Sequence, residues 1–246
     1  MAVFLIPEIS FSYPNGTPLY VTDMAPFCAS CHSSARSEYT PELPADFSRR
    51  EIAENKHYAL IRTQSMPSPY MELTNEQKEG IIREAQMIDS TSSVSVDAPS
   101  KVKAGEIITV RVSVKGGNGP VIGVMLVDRH FRNQARPITS DGWIIVEEPE
   151  IKGQDGKVQK TWLNKRIEGL KKNINYVMIM DQKFDKEKLL FPSGEITYLL
   201  KAPNKPGIYS LTAAFLYGTE NTDKAGFFQR PSGRILFSDE MKIKVE

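Results

Sequence analysis

The sequence is poor in cysteine and histidine, with two cysteines and three histidines among 246 residues. Two cysteines cannot build the disulfide framework of a small secreted scaffold. A structural zinc site needs four ligands, and two cysteines with three histidines offer few ways to supply them. No apolar run approaches the roughly 20 residues that a membrane-spanning helix needs. These absences exclude a disulfide-rich module and a membrane-spanning helix within this sequence.

The sequence also has no large excess of charge of one sign, since 31 basic and 30 acidic side chains leave a net charge of +1. Affinity for nucleic acid rises with the number of Lys and Arg side chains that meet phosphates, so a binder driven by bulk charge is excluded. The balance is uneven, because residues 1–90 carry seven basic and twelve acidic side chains. The other basic and acidic side chains give residues 91–246 a net positive charge. This asymmetry favours two modules with different surfaces.

Two helices are predicted in the first third of the chain by capping boxes. The Ser-x-x-Glu box that begins at Ser48 predicts a helix over residues 49–63, and the Thr-x-x-Gln box that begins at Thr74 predicts one over 75–88. The second helix has an apolar stripe of Ile81, Ile82, Ala85 and Ile88. The polar residues 89–93 then indicate a linker.

After that linker the apolar period changes to two, which is typical of strands with one buried face. Ile108, Val110, Val112 and Val114 alternate with polar residues, and similar alternation returns near the end of the chain. About eight short strands separated by turn signals predict an antiparallel immunoglobulin-like (Ig-like) β-sandwich over residues 94–246. Trp143 and Trp162 are expected in its core.

One motif carries specific chemistry: Cys28 and Cys31 stand three residues apart, and His32 follows directly. Two thiols at this spacing can add to the two vinyl groups of a porphyrin, and the adjacent imidazole can reach the iron. A thiol redox pair, a metal site and a chance occurrence are the alternatives. Covalent attachment of one haem c is the favoured interpretation, because a redox pair expects a βαβ context that is absent from this sequence.

The order of motifs resembles the mono-haem cytochrome c family. The attachment motif at Cys28–His32 comes first, the Met66-Pro67 segment follows, and the helix opened by Thr74 comes last. The resemblance covers about residues 17–89 and implies a small, mainly α cytochrome c-like haem domain over residues 1–89. In that family the motif histidine, here His32, is the proximal iron ligand.

The distal iron ligand expected from this resemblance is Met66, since a thioether would complete six-coordinate iron. Met71 lies five residues further and is an alternative. His57, on the first predicted helix, is the other alternative and would give bis-histidine iron. No catalytic constellation accompanies the motif.

The expected function is therefore electron transfer, as a carrier or as a haem subunit of an exported respiratory complex, with the sandwich serving docking. Redox proteins are the expected partners, and an enzyme activity is not favoured. The alternatives are a haem enzyme or gas sensor with an exchangeable distal site, and a chiefly structural or adhesive sandwich protein. Because haem c is attached outside the cytoplasm, a periplasmic or otherwise exported location is expected, with a leader absent from this sequence.

Overall fold

The computed structural model describes residues 54–55, 58–63, 70–71, 73–128, 137–160, 175–219 and 233–246. Within these residues, two α-helices precede two β-sheets that share one apolar core. Eleven strands are numbered in chain order: β1 (Ser93–Asp97), β2 (Lys101–Val102), β3 (Ile107–Lys115), β4 (Ile122–Val127), β5 (Ile144–Ile145), β6 (Glu150–Lys152), β7 (Tyr176–Ile179), β8 (Ser193–Lys201), β9 (Gly207–Gly218), β10 (Gly233–Phe237) and β11 (Met241–Val245).

The helices are α1 (Ala59–Arg62) and α2 (Asn75–Thr91). The predicted capping box of α2 is confirmed: the Gln77 N–H donates to Thr74 Oγ1 at 3.2 Å, and the Thr74 N–H donates to Gln77 Oε1 at 2.8 Å. These two bonds satisfy backbone donors that a helix N-terminus otherwise leaves free. Among the described residues, neither helix is both long and apolar enough to cross a membrane.

The two helices pack through a small apolar cluster of their own. Its buried members are Tyr58, Ile61, Tyr70, Leu73, Ile82 and Ala85. At its surface the Arg62 guanidinium binds the Glu79 carboxylate, with Nε 2.6 Å from Oε1. Both side chains are exposed to solvent, so the pair orients α1 on α2 and adds little stability.

The first sheet has five strands in the order β1–β3–β8–β5, and β6 also pairs with β8. All pairs are antiparallel. The predicted alternation along β3 is found: Val110 and Val112 are fully buried, whereas Thr109 and Arg111 on the opposite face are exposed. One face of this sheet therefore forms core, and the other is open to solvent.

The second sheet has the order β2–β11–β9–β4–β7, and β10 also pairs with β9. Its strands β4 and β7 are buried along their whole length rather than at alternate positions. Trp143 is buried as expected and meets Tyr209 of this sheet edge to face, with ring centroids 6.2 Å apart. Trp162 lies outside the described residues. The core thus joins side chains from both sheets.

The end of α2 is built into the sandwich. Residues 89–91, expected to form a linker, are the last turn of α2, and β1 begins two residues later. Ile88 is fully buried in the core that the sheets share. The Ser92 hydroxyl donates to the Ile88 carbonyl at 2.8 Å, which ends the helix. The helix and the first strand are therefore joined without a flexible segment.

The expected fold, a mainly α cytochrome c-like domain followed by an Ig-like sandwich, is wrong. The described chain is mostly β-sheet with two helices, and α2 contributes to the core of the sandwich. The physical reason is that α2 has two neighbours: Ile82 and Ala85 face α1, while Ile88 faces the sheets. The division of the chain into residues 1–89 and 94–246 stays a prediction.

Candidate binding surface

Most of the predicted haem residues lie outside the described residues: Cys28, Cys31, His32, His57 and Met66. Met71 is described; its side chain is 38% exposed and follows the buried Tyr70. Among the described residues there is no group of three or more His, Cys, Asp or Glu side chains that could hold a metal ion. The site that the structure does describe lies elsewhere, on the open face of the five-stranded sheet.

That open face carries exposed aliphatic side chains at one end. Ile107 of β3 and Ile144 of β5 both pair with Lys201 of β8, so the three side chains point to the same side. Ile107 is 55% exposed and Ile144 is 53% exposed. In the next row, the Val146 N–H donates to the Leu199 carbonyl at 2.9 Å. We call Ile107, Ile144, Val146, Val158 and Leu199 the aliphatic strip.

The edge of the sheet beside this strip is interrupted by a bulge. Ile145 pairs with Leu200, whereas Glu150 pairs with Thr197. Four residues of the edge strand therefore stand opposite two residues of β8. One of them is Pro149, which has no N–H to give to the ladder. The extra residues bend the edge away from β8 and open a gap.

The gap is a groove of about 530 Å³, which we call the bulge groove. Thr197 and Leu199 form its floor, because alternate residues of β8 face outward. Its walls are the bulge on one side and the segment after β6 on the other. The lining residues are Glu147, Glu148, Pro149, Glu150, Val158, Gln159, Lys160, Thr197 and Leu199.

The second wall is fixed by a glutamine. The Gln159 N–H donates to the Ile151 carbonyl at 2.8 Å, which adds this segment to β6. The side-chain amide of Gln159 then donates to the Met180 carbonyl and accepts from the Met180 N–H, both at 2.9 Å. The side-chain amide thus binds both backbone groups of Met180, as a residue of a neighbouring strand would. This wall of the groove is therefore tied to β6 and to the residue that follows β7.

The groove is negatively charged. Glu147 and Glu148 are exposed, and no cation among the described residues lies within ion-pair distance of either carboxylate. The Glu150 carboxylate lies 3.3 Å from the Lys152 ammonium, which also lies 3.8 Å from the Glu195 carboxylate. Lys160 is the single cation of the lining. The two free carboxylates therefore set the sign of the potential in the groove.

No sequence motif singles out Glu147 and Glu148, which lie in a polar segment. A signal was present, because Glu147, Glu148 and Pro149 follow the apolar residues 144–146 and separate them from the next short strand of the same edge. Charged residues and proline in such a place indicate a protected sheet edge or a bulge. The exposed aliphatic side chains were not predicted, because solvent exposure of alternate strand positions depends on what covers each face.

A second polar cluster joins α2 to the six-stranded sheet, and we call it the helix clamp. The Arg234 side chain is 1% exposed, and its Nη2 lies 3.0 Å from Asp89 Oδ2. The Tyr217 hydroxyl donates to Asp89 Oδ1 at 3.0 Å. The Arg234 guanidinium also lies over the Tyr58 ring, 5.8 Å from its centroid. The clamp fixes the helix end on the sandwich.

Comparison with known proteins gives matches to solved structures alone, since no family model and no curated protein matches the chain. The CARDB domain of a Pyrococcus furiosus protein, in complex with di-metal ions, is 12% identical over 63% of this chain and 90% of that one, with a TM-score of 0.26. The C-terminal domain of the Streptococcus pyogenes antigen I/II-family protein AspA is 11% identical over 63% of this chain and 46% of that one, with a TM-score of 0.31.

A third solved structure is CfaE, the adhesive subunit of the CFA/I fimbria of enterotoxigenic Escherichia coli. It is 12% identical over 63% of this chain and 48% of that one, with a TM-score of 0.28. This chain therefore spans about half of each of the two adhesin structures. TM-scores this low transfer no function from these proteins to this one.

The resemblance to a mono-haem cytochrome c fused to an Ig-like sandwich is wrong as an identification. The described part of the chain is mostly β-sheet, and its two helices do not form a separate cytochrome c-like domain, since α2 contributes to the core of the sandwich. The expectation of electron transfer by such a domain is wrong on the same finding. This finding does not test the attachment motif, because residues 28–32 lie outside the described part of the chain.

Proposed function

We propose that this chain is a structural or adhesive module that binds an extended polypeptide on the open face of its five-stranded sheet. The aliphatic strip carries this proposal. Four of its five side chains are exposed by 44% to 55%. Ile107, Ile144, Val146 and Leu199 lie in two adjacent rows of one sheet face, with Lys201 between the two isoleucines. Val158 lines the groove beside Leu199. Single exposed aliphatic residues are normal on a protein surface, whereas contiguous ones mark interaction sites.

The shape of the surface favours a polypeptide over a small molecule. The bulge groove is open to solvent, and its floor is formed by strand residues. Small-molecule sites enclose most of their ligand in a cavity. An extended segment instead lies along strands and places alternate side chains into such a groove.

The binding surface can be tested with peptides selected from a random phage-displayed library on the purified protein. We expect the selected peptides to lose affinity at least tenfold, or about 1.4 kcal/mol, for the Leu199→Lys variant and for the Ile144→Lys variant. A lysine at either position places a hydrated ammonium in the aliphatic strip. Fluorescence anisotropy with labelled peptides measures the dissociation constants.

The matched control is Ile208→Lys, since Ile208 is 74% exposed but belongs to β9 of the other sheet. Circular dichroism verifies that all three variants fold. Equal affinity for the wild type and the Leu199→Lys and Ile144→Lys variants would contradict the proposed surface, as would a selection that enriches no peptide.

We also propose that Cys28 and Cys31 hold one haem c covalently, with His32 as proximal ligand and Met66 as distal ligand. The support is the motif itself, because two thiols and an adjacent imidazole at this spacing match the chemistry of attachment. Met71 and His57 remain the alternative distal ligands. Export from the cytoplasm belongs to the same proposal, since haem c is attached outside that compartment.

Haem attachment has a direct test. The chain, expressed with a signal peptide in a host that matures c-type haem, should show a haem stain after denaturing electrophoresis and a mass increase of one haem. The Cys28→Ala/Cys31→Ala variant should show neither. A haem stain that persists in this variant, or a wild-type protein of unmodified mass, refutes the attachment.

A further inference from the structure

We infer that the segment bound in the bulge groove carries Lys or Arg side chains next to aliphatic ones. The inference rests on the proposed function and adds the chemistry of the partner. The aliphatic strip supplies the apolar half of the recognition, and Glu147 and Glu148 supply the other half. Both carboxylates stand on the wall of the groove and lack an ion-pair partner among the described residues.

Geometry places the two kinds of contact within one short segment. Leu199 and Thr197 form the floor, while Glu147 and Glu148 rise at its side. In an extended segment, neighbouring side chains point in opposite directions. An aliphatic side chain that faces Leu199 therefore has a neighbour that faces away from the floor, and a long basic side chain can bend from there to the wall carboxylates.

The same charges exclude other occupants. Phosphate groups of nucleic acids or anionic lipid headgroups would meet two uncompensated carboxylates and be repelled. A second copy of this chain, docked through the same face, would bring Glu147 and Glu148 against their own copies. Like charges brought together across an interface repel each other, so symmetric pairing through this face is disfavoured. A basic and aliphatic segment is the occupant that the surface fits.

The test uses two synthetic peptides on the full chain: one alternates lysine and valine, and the other alternates glutamate and valine. We expect the lysine peptide to bind at least tenfold more tightly than the glutamate peptide at low ionic strength. Its affinity should fall as salt is added, because the contact is exposed and screened. In amide NMR spectra the lysine peptide should shift the backbone signals of Glu147, Glu148 and Glu150 and of residues 158–160.

The decisive variant is Glu147→Lys/Glu148→Lys, which should reverse the preference between the two peptides. Its control is Glu76→Lys/Glu187→Lys, which changes the net charge equally at exposed carboxylates outside the groove. Equal binding of both peptides, or an unchanged preference in the groove variant, overturns the inference while leaving the proposed surface intact. Shifts confined to another part of the protein overturn both.

Discussion

Replacement of Asp89 by alanine is expected to lower the free energy of unfolding by about 3–5 kcal/mol. Asp89 is the carboxylate of the helix clamp, and the Arg234 guanidinium that it binds is 1% exposed. Without Asp89, the buried guanidinium loses the carboxylate that it binds through Nε and Nη2, and the Tyr217 hydroxyl loses an acceptor. Urea denaturation followed by circular dichroism measures the change.

An exposed ion pair supplies the control for the Asp89 variant. Glu79→Ala removes a carboxylate that binds Arg62 with comparable geometry but in solvent. We expect this change to lower the free energy of unfolding by less than about 1 kcal/mol. The Asp89→Leu/Arg234→Met variant removes both charges and should recover most of the lost stability. If Asp89→Ala costs no more than Glu79→Ala, the helix clamp does not hold α2 on the sandwich.

The second large effect is expected at Gly116, where alanine should lower the free energy of unfolding by about 2–4 kcal/mol. Gly116 has φ +125°, which side-chain-bearing residues rarely adopt. A Cβ atom there would lie 2.6 Å from the Cα of Ser92, the residue that joins α2 to β1. The clash is with backbone, so it can be relieved only by moving the helix end.

Gly156 provides the matched control for Gly116, because it also has positive φ, at +73°, but a Cβ added there meets nothing within 4 Å. Alanine at Gly156 should lower the free energy of unfolding by about 1 kcal/mol, because only the backbone strain is added there. Thermal unfolding of both variants separates the clash from the strain. Equal destabilisation would mean that the packing of Ser92 against Gly116 does not constrain the fold.

Local patterns were sufficient to predict several elements of this fold. Thr74 and Gln77 are three residues apart, so their reciprocal bonds depend on nothing beyond one helical turn. The alternation from Ile108 to Val114 reflects a strand with one face in the core. By contrast, β4 is apolar at nearly every position because both of its faces are covered, and its sequence alone does not distinguish a strand from a buried helix.

The remaining features depend on contacts between distant parts of the chain. Asp89 was interpreted as part of a linker, since its partners Tyr217 and Arg234 lie 128 and 145 residues away. The bulge groove likewise requires the register of β5 and β6 on β8, which no local pattern fixes. The resemblance to cytochrome c rested on short motifs and their order. Such motifs carry chemistry, but they do not establish the architecture around them.

The pairing of β9 has a consequence for the order in which the chain folds. This strand of 12 residues pairs with β10 and β11, which follow it closely, and with β4, which lies about 90 residues earlier. Closing a short loop costs less entropy than closing a long one. The β9–β10–β11 unit is therefore expected to form before β4 pairs with it, so its amides should gain protection earlier than those of β4 in pulsed hydrogen exchange during refolding.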